Sequence, residues 1–322
     1  MDSRKKYGEG GFGTVYGGTY TPPGGSSIPA ALKVVSLAKC PDMHREFLIM
    51  LDLPPHRNVV KLFGYAQTAR SMVLVMEALT GGDLQRISEA RPFRTLRTRL
   101  ELAVQAADGL AHLHAQGIVH GDVKPANVVC DAAGVAKLVD LGLAAAVART
   151  EGDAGFYGTL NYAAPELFPG GRGFTGRSRA ADVWAFGMLL FALFTGRQPF
   201  HEVLRGESST RSQAHPSRFF VRVYELLRGG MRPAFDKDGA AATAGPGGER
   251  LPPDLVTLAC ECWTLDPRHR PSMREVLTRL QGIQEQVDKA SRYGRRAGMH
   301  ETCGSRNILC TSSVVLVSTY VG

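Results

Sequence analysis

The stretch ADVWAFGMLLFALFTG, Ala181 to Gly196, limits the possible folds more than any other part of this chain. Asp182 is its one charged residue, so a helix built from it is apolar on nearly every side. Such a helix has to be surrounded by protein. A membrane does not substitute for that surrounding, because the apolar run from Ala180 to Thr195 falls short of the roughly 20 residues a span needs. The expectation is a central post inside a large helical body.

The rest of the chain supplies that body and something different in front of it. Thr95 to Gln116 places apolar residues at Leu96, Leu100, Ala103, Val104, Ala107, Leu110 and Ala111, the period of an amphipathic helix, and Gly117 stops it. Two short strand-like runs follow, Ile118 to Val119 and Val135 to Val139, and then a loop up to Pro165. The first 80 residues read instead as strands: a glycine run, Thr14 to Tyr20, Ala30 to Leu37 and Ser71 to Ala78, bounded by Gly, Pro or Ser turns. One helix is predicted among them, Met43 to Leu53, stopped by Pro54 and Pro55. With 322 residues the chain is long enough for two lobes. Residues 235–250, FDKDGAAATAGPGGER, read as a flexible insertion. Periodicity fades beyond about Gly282, and the end, SSVVLVSTYVG, reads as a stray strand or disordered terminus.

Composition narrows the class of partner. The net charge of +8 would permit nucleic acid, an anionic membrane or acidic peptides. The arginines are dispersed, however, which argues against nucleic acid. Their one dense patch, Arg86, Arg91, Arg94, Arg97 and Arg99, is answered only by Glu89 and reads as a solvated helix face, with a docking surface for acidic substrates as the sharper alternative. The six cysteines, Cys40, Cys130, Cys260, Cys262, Cys303 and Cys310, form no CxxC pair and no regular spacing. A reducing, cytoplasmic setting is expected, without a secretory leader or a membrane span.

Chemistry concentrates in two short motifs. In YGEGGFGTVYGG, Gly8, Gly10, Gly13 and Val15 satisfy GxGxxGxV, with Gly11 and Phe12 at the tip. Glycines at that spacing let a hairpin backbone lie close over phosphate oxygens. A dinucleotide fold uses similar glycines but leads into a helix, whereas TVYGGTY continues as a strand. In HGDVKPAN, residues 120 to 127, an aspartate, a lysine and an asparagine stand within six positions, directly after the long helix.

Together with AALK, DLG and AAPE in the same order, these motifs resemble a eukaryotic-type protein kinase from about Tyr7 to Gly282. The resemblance implies an α+β, bilobal fold: a small β-rich lobe with one main helix over residues 1–79, a larger helical lobe over 80–282, and a poorly ordered tail over 283–322. It implies ATP and magnesium as cofactors, and protein substrates. It assigns Lys33 to the α and β phosphates, with Glu46 as the acidic candidate that orients it and Phe47 competing for that slot. Asp122 becomes the acceptor of the substrate's hydroxyl proton, Lys124 the cation for the γ phosphate, and Asn127 and Asp140 the metal ligands. For either aspartate the bland alternative is a helix cap. Ala31, Met76, Glu77 and Leu79 are assigned to the adenine pocket and Asp83 to the ribose.

Lys124 and Thr159 make the chain similar to serine/threonine members, and CWTLDPRHRPS resembles the tyrosine-kinase-like group, most of whose members share that specificity. Glu166 and Arg270 are expected to form a buried ion pair. Asp182 is expected to accept hydrogen bonds from the catalytic-loop backbone, and His120 to be a packed core residue. Two departures stand out. Gly121 replaces an arginine that normally pairs with a phosphorylated activation segment, so less dependence on phosphorylation at Thr150, Tyr157 or Thr159 is expected. Leu141 replaces the phenylalanine of DFG and keeps an apolar plug. With only MDSRKKY before Gly8, the roof over the phosphates is expected to be poorly anchored. The alternatives to an active kinase are a catalytically silent scaffold of the same fold and a small-molecule phosphotransferase.

Overall fold

The computed structural model describes residues 6–10, 13–36, 43–90, 94–146, 158–168, 177–201, 222–227, 229–233, 235 and 249–302. It divides into two compact units, Met1–Gln284 and Glu285–Gly322, and both expected lobes lie in the first.

The small lobe is a five-stranded antiparallel sheet in the order β1-β2-β3-β5-β4, formed by β1 (Lys6–Gly10), β2 (Gly13–Tyr20), β3 (Ile28–Ser36), β4 (Leu62–Gln67) and β5 (Ser71–Glu77). The helix α1 (Met43–Asp52) joins β3 to β4 and ends just before the two prolines. Strand β1 is anchored despite its polar sequence, because it pairs with β2 from Lys6 to Gly10. Pattern reading passes over β4 for two reasons: Tyr65 to Gln67 are exposed, and the ladder shifts register between Leu62 and Gly64. Register decides which side chains share a face. Val15 pairs with Lys33, Gly17 with Ala31, and Ala31 with Met76, so Val15, Ala31, Lys33 and Met76 all stand on one side of the sheet.

The large lobe packs α2 (Leu84–Glu89), α3 (Leu96–Ala115) and α5 (Pro253–Cys262) around the apolar helix α4 (Arg179–Thr195). Every residue of α4 from Ala181 to Phe194 is buried. Each fully buried large side chain there stabilises the fold by about 1.5–3 kcal/mol. Ser178 caps the N-terminus by accepting from the Ala181 N–H at 3.1 Å, and Gly196, at φ 67°, terminates the helix in the left-handed conformation. Arg99 is anchored here rather than on a solvated face. It is 2% exposed, donates to the Phe194 carbonyl at 3.0 Å, lies over the Phe194 ring and pairs with Glu249. A cation at the last turn of a helix suits the helix dipole. Arg86 pairs with Asp83 at 3.3 Å and Arg97 with Glu101 at 3.2 Å, so Glu89 is not the patch's only acidic answer. Arg91 lies outside the described residues.

The lobes are joined next to the catalytic loop. The Asn58 side chain donates to the Ala136 carbonyl at 2.7 Å, its own carbonyl accepts from the Leu138 N–H, and the Val60 N–H donates back to Leu138. Short strands β6 (Gly82–Asp83), β8 (Val128–Cys130) and β9 (Ala136–Leu138) form a second sheet there, and β7 (Ile118–Val119) pairs with β10 (Ala145–Ala146). The last helix, α6 (Met273–Thr302), extends well beyond the point where apolar periodicity fades. Residues with good intrinsic helix propensity, such as Gln284, Glu285, Gln286, Lys289 and Ala290, carry it.

Among the described residues no helix is long and apolar enough to cross a membrane. Cys130, Cys260 and Cys262 are free, and burial pushes the Cys262 thiol up to about 12. The other three cysteines, nearly all of the 235–250 insertion, Thr150 and Tyr157 lie outside the described residues.

Candidate active site

Lys33 and Asp140 meet although they are 107 residues apart: the ammonium donates to Oδ1 at 2.8 Å. Lys33 is delivered by β3 and is 5% exposed. Asp140 stands at φ 62°, ψ 68°, a left-handed conformation uncommon for a side chain other than glycine or asparagine. It precedes a 3-10 turn, Leu141–Leu143, but makes no side-chain cap bond, so capping does not account for it. Burial alone would raise its pKa. The adjoining Lys33 ammonium, helped by Lys124, more than offsets this and holds the carboxyl below its ordinary value. Leu141 is fully buried, as an apolar plug should be, and α1 packs against the turn that carries it. The Glu46 side chain lies outside the described residues, while Phe47 is buried and stacks at a tilt on Tyr65.

Asp122 lies 7% exposed with both oxygens engaged. Oδ1 accepts from the Thr159 hydroxyl at 2.9 Å, and Oδ2 accepts from the Asn127 amide at 2.9 Å and pairs with Lys124 at 2.7 Å. Lys124 also donates to Thr159 at 2.7 Å, closing a triangle. The Asn127 amide donates again to the Asp122 backbone carbonyl at 2.8 Å. This fixes the side chain's nitrogen toward Asp122 and turns its carbonyl oxygen away. Asn127 is tied to Asp140 through the backbone, since the Val139 N–H donates to the Asn127 carbonyl at 2.9 Å.

The loop is held from below. Asp182, two per cent exposed on α4, accepts from the His120 and Gly121 N–H groups at 2.8 and 2.9 Å, as expected. His114 donates to the same carboxylate from α3 at 2.9 Å. His120 is fully buried, but it bridges: Nδ1 accepts from the Asp122 N–H at 3.3 Å, and Nε2 donates to the Val139 carbonyl at 3.2 Å. One imidazole thus links the residues beside both site carboxylates, and these two bonds define its tautomer. Glu166 and Arg270 form the expected pair, bidentate at 2.5 and 2.8 Å.

Over the cleft, the hairpin register pairs Gly10 with Gly13, Glu9 with Thr14 and Gly8 with Val15. Gly11 and Phe12 lie outside the described residues. The glycines differ in their reason. At Gly13, φ is +130° and a Cβ would come within 2.5 Å of the Val34 carbonyl, so strand packing demands glycine. A Cβ at Gly8 would meet nothing within 4 Å, which leaves open the space a bound group would need. At the connection after β5, Met76 is buried, and the Glu77 N–H is already donated to Lys61. The Glu77 carboxylate accepts from the Lys61 N–H and pairs with Lys137. Leu79 is half-buried, and Asp83 caps α2 by accepting from the Arg86 N–H at 2.9 Å.

The family model for the protein kinase domain matches residues 1–280. The chain is 32% identical over 305 residues to the probable serine/threonine-protein kinase PBL18 of Arabidopsis thaliana, covering 88% of this chain and 73% of that protein. It is 33% identical over 310 residues to the probable serine/threonine-protein kinase PBL4 of the same plant, covering 88% and 69%. A dual serine/threonine and tyrosine protein kinase of Canis lupus familiaris is 30% identical over 92% of this chain and 29% of its own length. The chain belongs to the protein kinase family.

Proposed function

We propose that the chain is a protein serine/threonine kinase that transfers the γ-phosphoryl group of ATP to serine or threonine hydroxyls of proteins, with magnesium. The meeting of Lys33 with Asp140 beside the Asp122–Asn127 pair carries this reading. Among the described residues no three His, Cys, Asp or Glu side chains cluster into a metal cage. Two hard oxygen donors, the Asp140 carboxylate and the Asn127 carbonyl, suit magnesium, which keeps waters and phosphate oxygens as its other ligands. Magnesium-bound ATP supplies the transferable group and a cation that offsets its charge.

The chain's own residues do the rest. Lys33 offers its ammonium to the α and β phosphates and keeps Asp140 ionised. Asp122 takes the hydroxyl proton: each carboxylate oxygen has two lone pairs, so Oδ1 can accept a substrate O–H besides Thr159. Lys124 carries positive charge to the γ phosphate. Gly8, Gly10, Gly13 and Val15 would cover the phosphates; Ala31, Met76, the Glu77 carbonyl and Leu79 would surround adenine, and Asp83 would face the ribose. The Lys124–Thr159–Asp122 triangle supports serine/threonine specificity. Because the Thr159 hydroxyl touches Asp122, a phosphate there would oppose the base, which favours activity without phosphorylation at this position. Free cysteines fit a cytoplasmic setting.

Radiolabelled transfer from ATP to a generic basic protein, with Asp140→Asn as control, tests the proposal. Transfer by the parent and its loss in the variant are expected. Nucleotide binding without transfer by the parent would favour a silent scaffold, and equal transfer by both would point to a contaminant.

A further inference from the structure

Gly121 leaves room that another part of the chain fills. Its φ is +80°, and a Cβ there would lie 2.9 Å from the Leu143 carbonyl oxygen and 3.2 Å from Cδ of Arg177. Arg177 is 6% exposed and donates from Nη1 to that same Leu143 carbonyl at 2.6 Å. It stands immediately before Ser178, the N-cap of α4, and lines a small recess with Gly121, Asp122, Thr159 and Asp182. Leu143 closes the 3-10 turn that begins directly after Asp140. A left-handed backbone at a residue such as Asp140 persists only where its surroundings hold it. On the other side of the recess, Asp182 fixes the Gly121 N–H.

We propose that Arg177 is a positioning residue for Asp140: its guanidinium ties the start of α4 to the turn Leu141–Leu143, so that the Asp140 carboxylate stays aimed at Lys33 and at the metal. The cation that the catalytic loop lacks at position 121 is thus supplied 56 positions later, and glycine at 121 is what admits it. This rests on the kinase reading above for its consequence, but not for the geometry.

The test uses the full chain and four variants: Arg177→Leu, Arg177→Lys, Gly121→Ala and the double variant Gly121→Ala/Arg177→Leu. Amide hydrogen exchange over residues 141–146 is measured without nucleotide, and the magnesium concentration for half-maximal transfer with it. For Arg177→Leu, exchange is expected to quicken about tenfold or more, and the magnesium requirement to rise about 10- to 100-fold, as for other groups that orient a metal ligand. Arg177→Lys keeps a donor and should recover part of both. Gly121→Ala should reproduce the defect, since its Cβ would press on the Leu143 carbonyl oxygen and on Arg177 Cδ, and the double variant should be no worse than the worse single, because both break one contact. Unchanged exchange and magnesium requirement in Arg177→Leu would overturn the proposal, as would full additivity in the double variant. If Arg177→Leu does not fold, Arg177→Lys and Gly121→Ala decide by the same readouts. If the parent transfers no phosphate, the kinase reading fails, while the exchange measurement still decides the role of Arg177.

Discussion

Two pairings of carboxylate and cation, Glu166 with Arg270 and Asp140 with Lys33, look alike in sequence and differ in how far they are closed. The Arg270 and Glu166 side chains are 0% and 2% exposed, and the guanidinium also donates to the carbonyls of Thr264 and Ala180. Little capacity is left over. Asp140 keeps 29% of its side chain exposed and gives one oxygen to Lys33. An ion pair that saturates itself serves the fold, whereas one that leaves its carboxylate partly exposed can serve a ligand.

The largest effect separating the two should come from Arg270→Met. It strands a buried carboxylate, and a loss of about 3–5 kcal/mol in urea unfolding is expected. Asp140→Asn should weigh on activity instead: transfer falls on the order of 10²–10³-fold, while the urea midpoint falls by less than in Arg270→Met. A large stability loss there would erase the contrast.

Lys33→Met sharpens it by pH. In the parent the Asp140 carboxyl lies below the 3.8 of a free carboxyl, so its contribution to stability is present above that value and fades as pH falls through the lower, folded value. Without Lys33, the burial that opposes ionisation is less fully offset, and Asp140 is expected to titrate at higher pH. Carbon-detected NMR of the labelled carboxyl reads this directly; an unmoved titration would deny Lys33 its bracing role.

Thr159→Ala removes one hydroxyl from Asp122 and should cost about 1.5–3 kcal/mol or less, read as stability and as a change in kcat. Smallest of all, Arg97→Ala breaks an exposed pair with Glu101 and should change stability by under about 0.5 kcal/mol.

Legibility in the sequence follows the range of the contacts. The buried helix α4 is readable because its composition alone demands burial, β2, β3 and β5 because turn residues bound them, and α3 because helical period marks it. Lys33, Asp122, Asn127 and Asp140 were nameable because motif spacing labels them. Strand β4 lacked alternation, being half exposed along an edge. His114, Arg99 and Arg177 were not legible, since each acts on a partner far along the chain: Asp182, Phe194 and Leu143. Nothing near Arg177 in the sequence signals that Gly121 has made room for it. The arginine patch is solvated at Arg86, Arg94 and Arg97, as expected, but not at Arg99, whose partner Glu249 lies 150 positions away.

Calorimetric titration of ATP into the purified chain, with and without magnesium, tests the central claim most directly. Binding strengthened by magnesium in the parent, and losing that strengthening in Asp140→Asn but not in Arg97→Ala, is the expected result. Binding that ignores magnesium, or that Asp140→Asn leaves unaltered, would contradict a single metal-and-nucleotide site built from Lys33, Asp122, Asn127 and Asp140.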